Sequence, residues 1–132
     1  MTPPILGLRT VIYKVPDMKS ARDWYGRAFR AEPYFSTPGY TGFSIGGYEL
    51  GLLADDGPQT AKAANVLTYW GVDDIDAELE RLTALGAAPD TPAVNVGGDI
   101  RVATVRDPWD NVIGLIYNPE FGVEPRTEPG PA

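Results

Sequence analysis

The sequence contains neither cysteine nor histidine among its 132 residues. Without cysteine, the chain can form no disulfide, no thiolate zinc site and no thiol nucleophile. Without histidine, it lacks the side chain that most often serves as a general base or a metal ligand near neutral pH. Since disulfides are rare in reducing compartments, the absence of cysteine leads us to expect a cytoplasmic protein. Any chemistry that the protein performs would depend on carboxylates, tyrosines or lysines.

Long apolar runs and positive charge are also scarce. No segment approaches the ~18 consecutive apolar residues of a membrane-spanning helix, and residues 1–8 lack the basic and apolar regions of a signal peptide. The 11 basic residues against 18 acidic ones give a net charge of −7, which disfavours nucleic acids and anionic lipids as partners. We therefore expect a soluble protein, although the acidity also suits a preference for cationic ligands.

The chain contains an internal repeat with a spacing of 57 residues, in which Val15-Pro16-Asp17 corresponds to Val72-Asp73-Asp74. In both copies an apolar run precedes an aspartate suited to cap a helix, and an amphipathic pattern follows. The repeat predicts strands at 8–15 and 66–72 and helices at 18–30 and 75–85.

Three short strand-like segments separated by glycine and proline follow each predicted helix. They lie at 33–36, 42–45 and 48–53, and at 93–96, 100–106 and 111–118. Gly46-Gly47 and Asp110-Asn111 have the residue types of tight hairpin turns. The chain is therefore predicted to be a single α+β domain over 1–132, with two tandem βαβββ modules at about 6–54 and 65–118, a linker at 55–64 and a proline-rich tail at 119–132.

Alternation along the strands predicts which side chains share a face. We expect each helix to cover the face that contains Val11, Tyr13, Val15, Leu50 and Leu52, or Thr68, Trp70, Val72, Ile113, Leu115 and Tyr117. The opposite face then presents Thr10, Ile12, Lys14, Glu49, Gly51 and Leu53, or Leu67, Tyr69, Val112, Gly114, Ile116 and Asn118.

Three stretches carry a resemblance to a known family: residues 8–17 with Trp24-Tyr25, residues 72–76 with 85–87, and residues 107–115. The last is similar to an Asp-Pro-x-Gly-Asn turn and final strand. In this order, over about residues 8–119, they resemble the vicinal oxygen chelate superfamily, which includes glyoxalase I, bleomycin-resistance proteins and extradiol dioxygenases. The resemblance implies a curved mixed sheet that forms a cup, with the helices on its convex face.

The sequence departs from the family pattern at two helix and turn positions. Arg30 stands where the first helix commonly ends in glycine, and Trp109-Asp110 replace small turn residues. Aspartate tolerates a left-handed backbone, so we expect the turn at Asp110 to be kept.

The resemblance places the metal-ligand positions of metal-binding members at Thr10, Gly51, Leu67 and Gly114. An alignment shifted by two residues would replace Gly51 with Glu49. Leucine and glycine offer no ligand atom, and one hydroxyl or one carboxylate is not enough to hold zinc, nickel or iron. We therefore expect no metal and no other cofactor, and metal-dependent glyoxalase or dioxygenase activity is disfavoured.

A cup without a metal is predicted to be a mainly apolar pocket for a small organic ligand. The candidate ligand-binding residues are Thr10, Ile12, Lys14, Tyr40, Glu49, Gly51, Leu67, Tyr69, Val112, Gly114 and Ile116. Other interpretations stay open: Glu49 and Lys14 could form an ion pair, Tyr69 could be a plain wall residue, and the aromatics at 34, 35, 40, 43 and 48 divide between pocket and core.

Three functions are compatible with these residues. The leading hypothesis, by resemblance to drug-sequestering members, is metal-independent binding of a hydrophobic or aromatic molecule, as in antibiotic or toxin resistance, by a homodimer. The second is a metal-independent isomerase, lyase or cyclase in which Glu49, the one catalytic candidate, acts as general base and Tyr69 or Lys14 assists. The third is an interaction module whose cups are filled by side chains.

Overall fold

The computed structural model describes residues 8–55, 62 and 67–119. Within it, the chain divides into two compact units, residues 1–61 and 62–132. The linker predicted at 55–64 and the tail predicted at 119–132 lie outside the described residues, apart from Asp55, Lys62 and Pro119. The two units are called the first and the second module below.

Both modules have the order strand, helix, three strands. The first contains β1 (Thr10–Val15), α1 (Met18–Ala28), β2 (Pro33–Ser36), β3 (Tyr40–Ile45) and β4 (Tyr48–Ala54). The second contains β5 (Tyr69–Gly71), α2 (Ile75–Ala84), β6 (Ala88–Gly97), β7 (Ile100–Arg106) and β8 (Val112–Tyr117). The predicted α+β fold of two tandem βαβββ modules is confirmed.

Each module forms a mixed sheet of four strands. The strand orders are β1-β4-β3-β2 and β5-β8-β7-β6, and in each sheet the first pair is parallel and the others antiparallel. Neither helix of the described residues is long and apolar enough to cross a membrane. The joint cup of the two sheets remains a prediction.

Both helices begin where the sequence indicates and end within two residues of the predicted positions. The carboxylates of Asp17 and Asp74 accept hydrogen bonds from the backbone N–H groups of Ser20 and Ala77, at 3.3 and 3.1 Å. Just beyond the helices, Arg30 and Gly86 have φ angles of +50° and +108°. Arg30 therefore adopts the left-handed conformation that glycine favours at this position.

Each helix covers the sheet face that alternation assigns to it. In the first module, the buried Tyr25 of α1 stacks on Tyr13 of β1, with ring centroids 5.6 Å apart. In the second, Ile75 and Leu82 of α2 are buried. The sheet residues buried in these two cores are Tyr13, Val15, Phe43, Leu50 and Leu52, and Ala103, Val105, Ile113 and Leu115.

The sixth strand is longer than the sequence predicts. It begins at Ala88 and not at 93 because Pro89 and Pro92, which suggested a break, are accommodated in it. β6 is an edge strand with three register shifts against β7, and edges and bulges tolerate residues without a backbone N–H. β3 similarly begins two residues early, at Tyr40, whereas β5 is confined to Tyr69–Gly71.

The last hairpin turn is built around Asp107 and is longer than the predicted turn at Asp110-Asn111. The buried Asp107 carboxylate accepts hydrogen bonds from the backbone N–H groups of Trp109 and Asn111, both at 2.8 Å, and from the Asn111 amide at 2.9 Å. Asp110 has a φ angle of +70°, as expected for a left-handed residue.

Candidate functional site

The registers of the two sheets show which positions of the modules correspond. Ile12 pairs with Gly51, and Tyr69 pairs with Gly114. The 57-residue repeat equates Ile12 with Tyr69, so Gly51 and Gly114 are equivalent positions. This agrees with the unshifted alignment of the ligand positions, and Glu49 pairs instead with Thr10.

Glu49 is the centre of a cluster of hydroxyl groups on the face of the first sheet opposite α1. Thr10 donates a hydrogen bond from Oγ1 to Glu49 Oε1 at 3.0 Å. The hydroxyls of Tyr34 and Tyr40 also donate to this carboxylate, Tyr34 to Oε2. Thr10, Tyr34, Tyr40 and Glu49 are called the Glu49 cluster below, and three of its four members are among the predicted binding residues.

Two glycines make room for the tyrosines of the Glu49 cluster. A Cβ atom at Gly42 would lie 2.7 Å from Glu49 Oε2 and 3.1 Å from the Tyr34 ring. A Cβ atom at Gly51 would overlap the Tyr40 hydroxyl. Gly42 on β3 pairs directly with Gly51 on β4. The rings of Tyr34 and Tyr40 therefore lie over neighbouring glycines that have no side chains to block their approach to Glu49.

Tyr34 owes its position to a bulge in β2. Pro33 pairs with Phe43 and Phe35 pairs with Gly42, which leaves Tyr34 as the additional residue. The sequence left its placement open among several aromatics, because period-two alternation does not locate bulges. The one sequence signal for this arrangement is that Gly42 and Gly51 lie near several tyrosines, whose rings could pack over positions without side chains. Phe43, from the same group of aromatics, is fully buried in the core.

The hydrogen bonds keep the cluster in one protonation state at neutral pH. The Tyr34 hydroxyl, more than any other group, lowers the pKa of Glu49, and Thr10 and Tyr40 act in the same direction against the effect of burial. The bond to Glu49 raises the pKa of Tyr34, and burial followed by the Glu49 charge raises the pKa of Tyr40. Glu49 is thus an ionised carboxylate, and both phenols keep their protons.

Exposed apolar side chains lie on the same face of the first sheet as this carboxylate. Ile12, which pairs with Gly51 on the neighbouring strand β1, is 43% exposed, and Leu53, two residues beyond Gly51 on β4, is 37% exposed. The ring centroid of Phe35 lies 6.3 Å from that of Tyr40. Exposed apolar groups next to a few placed polar ones are typical of surfaces that bind organic ligands. These residues and the Glu49 cluster are called the open face of the first sheet.

The interpretation that Glu49 and Lys14 form an ion pair is wrong. Lys14 pairs with Leu53, four residues along β1 from Thr10, the partner of Glu49. At about 3.3 Å per residue the two positions are ~13 Å apart, too far for an ion pair. Lys14 stays a predicted binding residue, at the other end of the strand.

The predicted residues of the second module lie along β5 and β8. Tyr69 pairs with Gly114, Gly71 pairs with Ile116, and Arg106 pairs with Val112. Leu67 precedes β5 and is half exposed. Val112 occupies the position equivalent to Glu49, so the second module has no carboxylate there.

The second module instead has a polar cluster that the sequence did not indicate. Thr104, which pairs with Gly114, donates a hydrogen bond to Asp90 at 2.8 Å and lies 2.6 Å from the Thr91 hydroxyl. Arg106 Nε is 3.6 Å from the Asp90 carboxylate. This acid is therefore partnered by a cation, unlike Glu49.

A groove of about 510 Å³ also lies in the second module, between α2 and β6. Leu79 and Thr83 line its helix side, and Pro89 and Pro92 line its strand side. The groove contains none of the predicted binding residues.

The four ligand positions do not fit a divalent metal. The Thr10 hydroxyl is directed to Glu49, Leu67 has no ligand atom, and Gly51 and Gly114 have no side chains. The place of a Gly51 side chain is taken by Tyr40, and a Cβ atom at Gly114 would lie 2.5 Å from the Thr68 carbonyl oxygen. Residues 8–55, 62 and 67–119 contain no group of three or more acidic residues that could hold a metal ion.

Comparisons with known proteins show a family match and a partial match to curated relatives. Residues 7–115 match the model of the Glyoxalase/Bleomycin resistance protein/Dioxygenase superfamily. The cadmium-induced protein CadI of Mycobacterium tuberculosis is 36% identical over 77 residues, which are 54% of this chain and 49% of that protein. The chain thus spans about half the length of the curated relatives it matches.

Solved structures share the fold at low sequence identity. The fosfomycin resistance protein FosX from Listeria monocytogenes has a TM-score of 0.72 and 22% identity, over 88% of this chain and 96% of that one. A family enzyme from Burkholderia phytofirmans PsJN has a TM-score of 0.71 and 18% identity, over 82% and 95%. TioX from Micromonospora sp. ML1 has a TM-score of 0.61 and 22% identity, over 84% and 98%.

Proposed function

This chain belongs to the Glyoxalase/Bleomycin resistance protein/Dioxygenase superfamily, and from that premise we propose that it binds a hydrophobic or flat aromatic small molecule without a metal or other cofactor. The observation that carries the proposal is the open face of the first sheet. There, exposed Ile12 and Leu53 share a sheet face with a carboxylate that is bonded to three hydroxyls and so is poorly disposed to ligate a metal. Apolar contact would supply affinity, and the polar cluster would supply orientation.

One structural neighbour is named for resistance to an antibiotic. FosX is named for fosfomycin resistance and one of its structures contains Mn(II), whereas Thr10, Gly51, Leu67 and Gly114 of this chain do not fit a metal. We therefore propose that this chain uses the same fold to hold a molecule without changing it. We also propose a homodimer, because a second copy would cover apolar side chains that are exposed in one chain. The proposed location is the cytoplasm, which suits a chain without cysteine.

A metal-independent isomerase, lyase or cyclase is the second candidate. The placement of one carboxylate between two phenols favours it, since such groups can accept and donate protons. The direction of the Glu49 pKa is against it, because a general base that works near neutral pH needs a raised carboxylate pKa and not a lowered one.

The test measures metal content and ligand binding on the same purified protein. Elemental analysis is expected to find no stoichiometric zinc, manganese, nickel or iron, and native mass spectrometry is expected to find a dimer. A neutral aromatic probe, tert-butylbenzene, should bind saturably. Stoichiometric metal, or no saturable binding, would overturn the proposal.

Matched variants locate the binding surface. Ile12→Ser is expected to weaken binding of tert-butylbenzene by about tenfold, because it removes apolar contact from the open face. Val94→Ser removes a similarly exposed apolar group from β6 and should leave binding unchanged. Glu49→Gln separates the two candidate functions once a ligand is known: retained affinity with lost turnover would favour the enzyme.

A further inference from the structure

We propose that the Glu49 cluster is a subsite for a weakly hydrated cationic group, such as a quaternary ammonium or an N-alkylated aromatic ring, carried by the bound molecule. The inference rests on the proposed function and names the class of ligand. It comes from a carboxylate whose charge is balanced by no cation, set among aromatic rings on an exposed apolar face.

The charge of Glu49 is uncompensated among the described residues. Some of the other carboxylates have cationic partners: Glu78 lies 2.7 Å from Arg81, and Asp76 lies 2.9 Å from Arg101. Glu49 has only neutral hydroxyl partners in the described part of the chain. Hydroxyl donors hold a carboxylate in place and favour its ionised form, but they leave the net charge on the surface.

The hydrogen bonds also restrict which cations fit. A carboxylate has about four lone-pair directions, and three donors already use most of them. A primary ammonium or guanidinium must direct several N–H groups to acceptors, and few are left at Glu49. A quaternary ammonium needs no acceptor, because it is attracted by charge and by ring faces alone.

The aromatic rings supply those faces. Tyr34 is 63% exposed and Phe35 49%, and the ring of Tyr40 lies beside that of Phe35. Ring faces carry negative electrostatic potential and attract cations within about 6 Å of their centres. The nearest predicted cation on this face, Lys14, is ~13 Å along the strand. The chain's net charge of −7 further favours the approach of cations.

The test compares two probes that differ in charge and not in shape. Phenyltrimethylammonium and tert-butylbenzene are isosteres, and NMR titration of the wild-type protein gives both affinities. We expect the cation to bind at least tenfold more tightly, with the preference decreasing at high salt. Benzylammonium, a primary ammonium, should bind less tightly than phenyltrimethylammonium.

Three variants assign the preference to Glu49. Glu49→Gln is expected to remove the preference for the cation and to leave the affinity for tert-butylbenzene unchanged, which also shows that the variant folds. Asp99→Asn removes the same charge from the exposed turn before β7 and should keep the preference. Tyr34→Phe keeps the carboxylate and a ring but removes the donor that most lowers the Glu49 pKa, so the preference should be lost at a higher pH than in the wild type as the solution is acidified.

The outcomes separate this inference from the proposed function. Saturable binding of both probes with equal affinity would overturn the cationic subsite and leave the proposed function standing. A preference that survives Glu49→Gln would overturn the assignment to the Glu49 cluster. Failure of both probes to bind would overturn the proposed function, and the subsite with it.

Discussion

The two modules share one backbone pattern and differ in the chemistry placed on it. Both have the same bulge in the edge strand: Pro33 and Phe35 pair with Phe43 and Gly42, and Pro89 and Thr91 pair with Val105 and Thr104. The additional residue in the bulge is Tyr34 in the first module and Asp90 in the second. A repeated skeleton can therefore present a phenol at one site and a carboxylate at the equivalent one.

The acids of the two modules have different partners as a result. In the first module, the acid is on β4 and the bulge supplies a neutral donor to it. In the second, the bulge supplies the acid, and Thr104 and Arg106 bind it. Of these two acids, only Glu49 has no cationic partner among the described residues, which is why both proposals concern the first module.

The largest expected difference between the modules is in their cores. Phe43 and Val105 occupy equivalent positions and are both fully buried. Phe43→Ala should lower the free energy of unfolding by about 3–5 kcal/mol and Val105→Ala by about 1.5–3 kcal/mol, because more apolar volume is lost in the first case. Urea unfolding measures both, and a larger effect at Val105 would contradict the equivalence.

The next effect concerns the hairpin turns before the last strand of each module. Asp107→Ala should cost about 2–3 kcal/mol, because the part-buried N–H group of Trp109 and the buried N–H group of Asn111 lose their acceptor. The corresponding turn of the first module, at Gly46-Gly47, relies on positive φ angles of 59° and 91°. Gly46→Asn, which tolerates such an angle, serves as the control and should cost much less in the same urea assay.

A smaller effect should follow from exchanging the residues that end the helices. Arg30→Gly relieves a left-handed backbone at a non-glycine residue and should stabilise the protein by about 0.5–1 kcal/mol after the added entropy of the unfolded chain. Gly86→Ala places a Cβ atom at a φ of +108° and should destabilise it by about 1–2 kcal/mol. Thermal unfolding compares them, and equal signs would contradict the shared geometry.

The smallest effect is a change in tyrosine titration. Glu49 raises the pKa of Tyr34 and Tyr40, so Glu49→Gln should move part of the phenolate absorbance to lower pH. The Glu49 pKa is itself lowered, so its stabilising contribution is present above its unfolded pKa and is lost as the pH falls through the folded pKa. Wild type and Glu49→Gln should therefore converge in stability in acid. Asp99→Asn is the control and should leave the tyrosine titration unchanged.

Periodicity and capping residues predicted most of the fold, because helices and half-buried strands have repeats that a single sequence displays. Asp17 and Asp74 located both helix starts, and alternation placed Thr10 and Glu49 on one face. The contact between them also needed the register of two parallel strands, which no turn between them fixes. The roles of Tyr34 and Asp90 depended on bulges, which interrupt the period that the sequence analysis used.

Gly51 and Gly114 differ in which atoms would have to move to make room for a side chain. A new side chain at Gly51 would meet the ends of Tyr40 and Ile12, both of which are side chains that can change rotamer. A new side chain at Gly114 would meet the backbone carbonyl of Thr68, and the approach to β5 would have to open. A side chain at this position would therefore require only side-chain movement in the first module, whereas in the second it would require movement of the main chain.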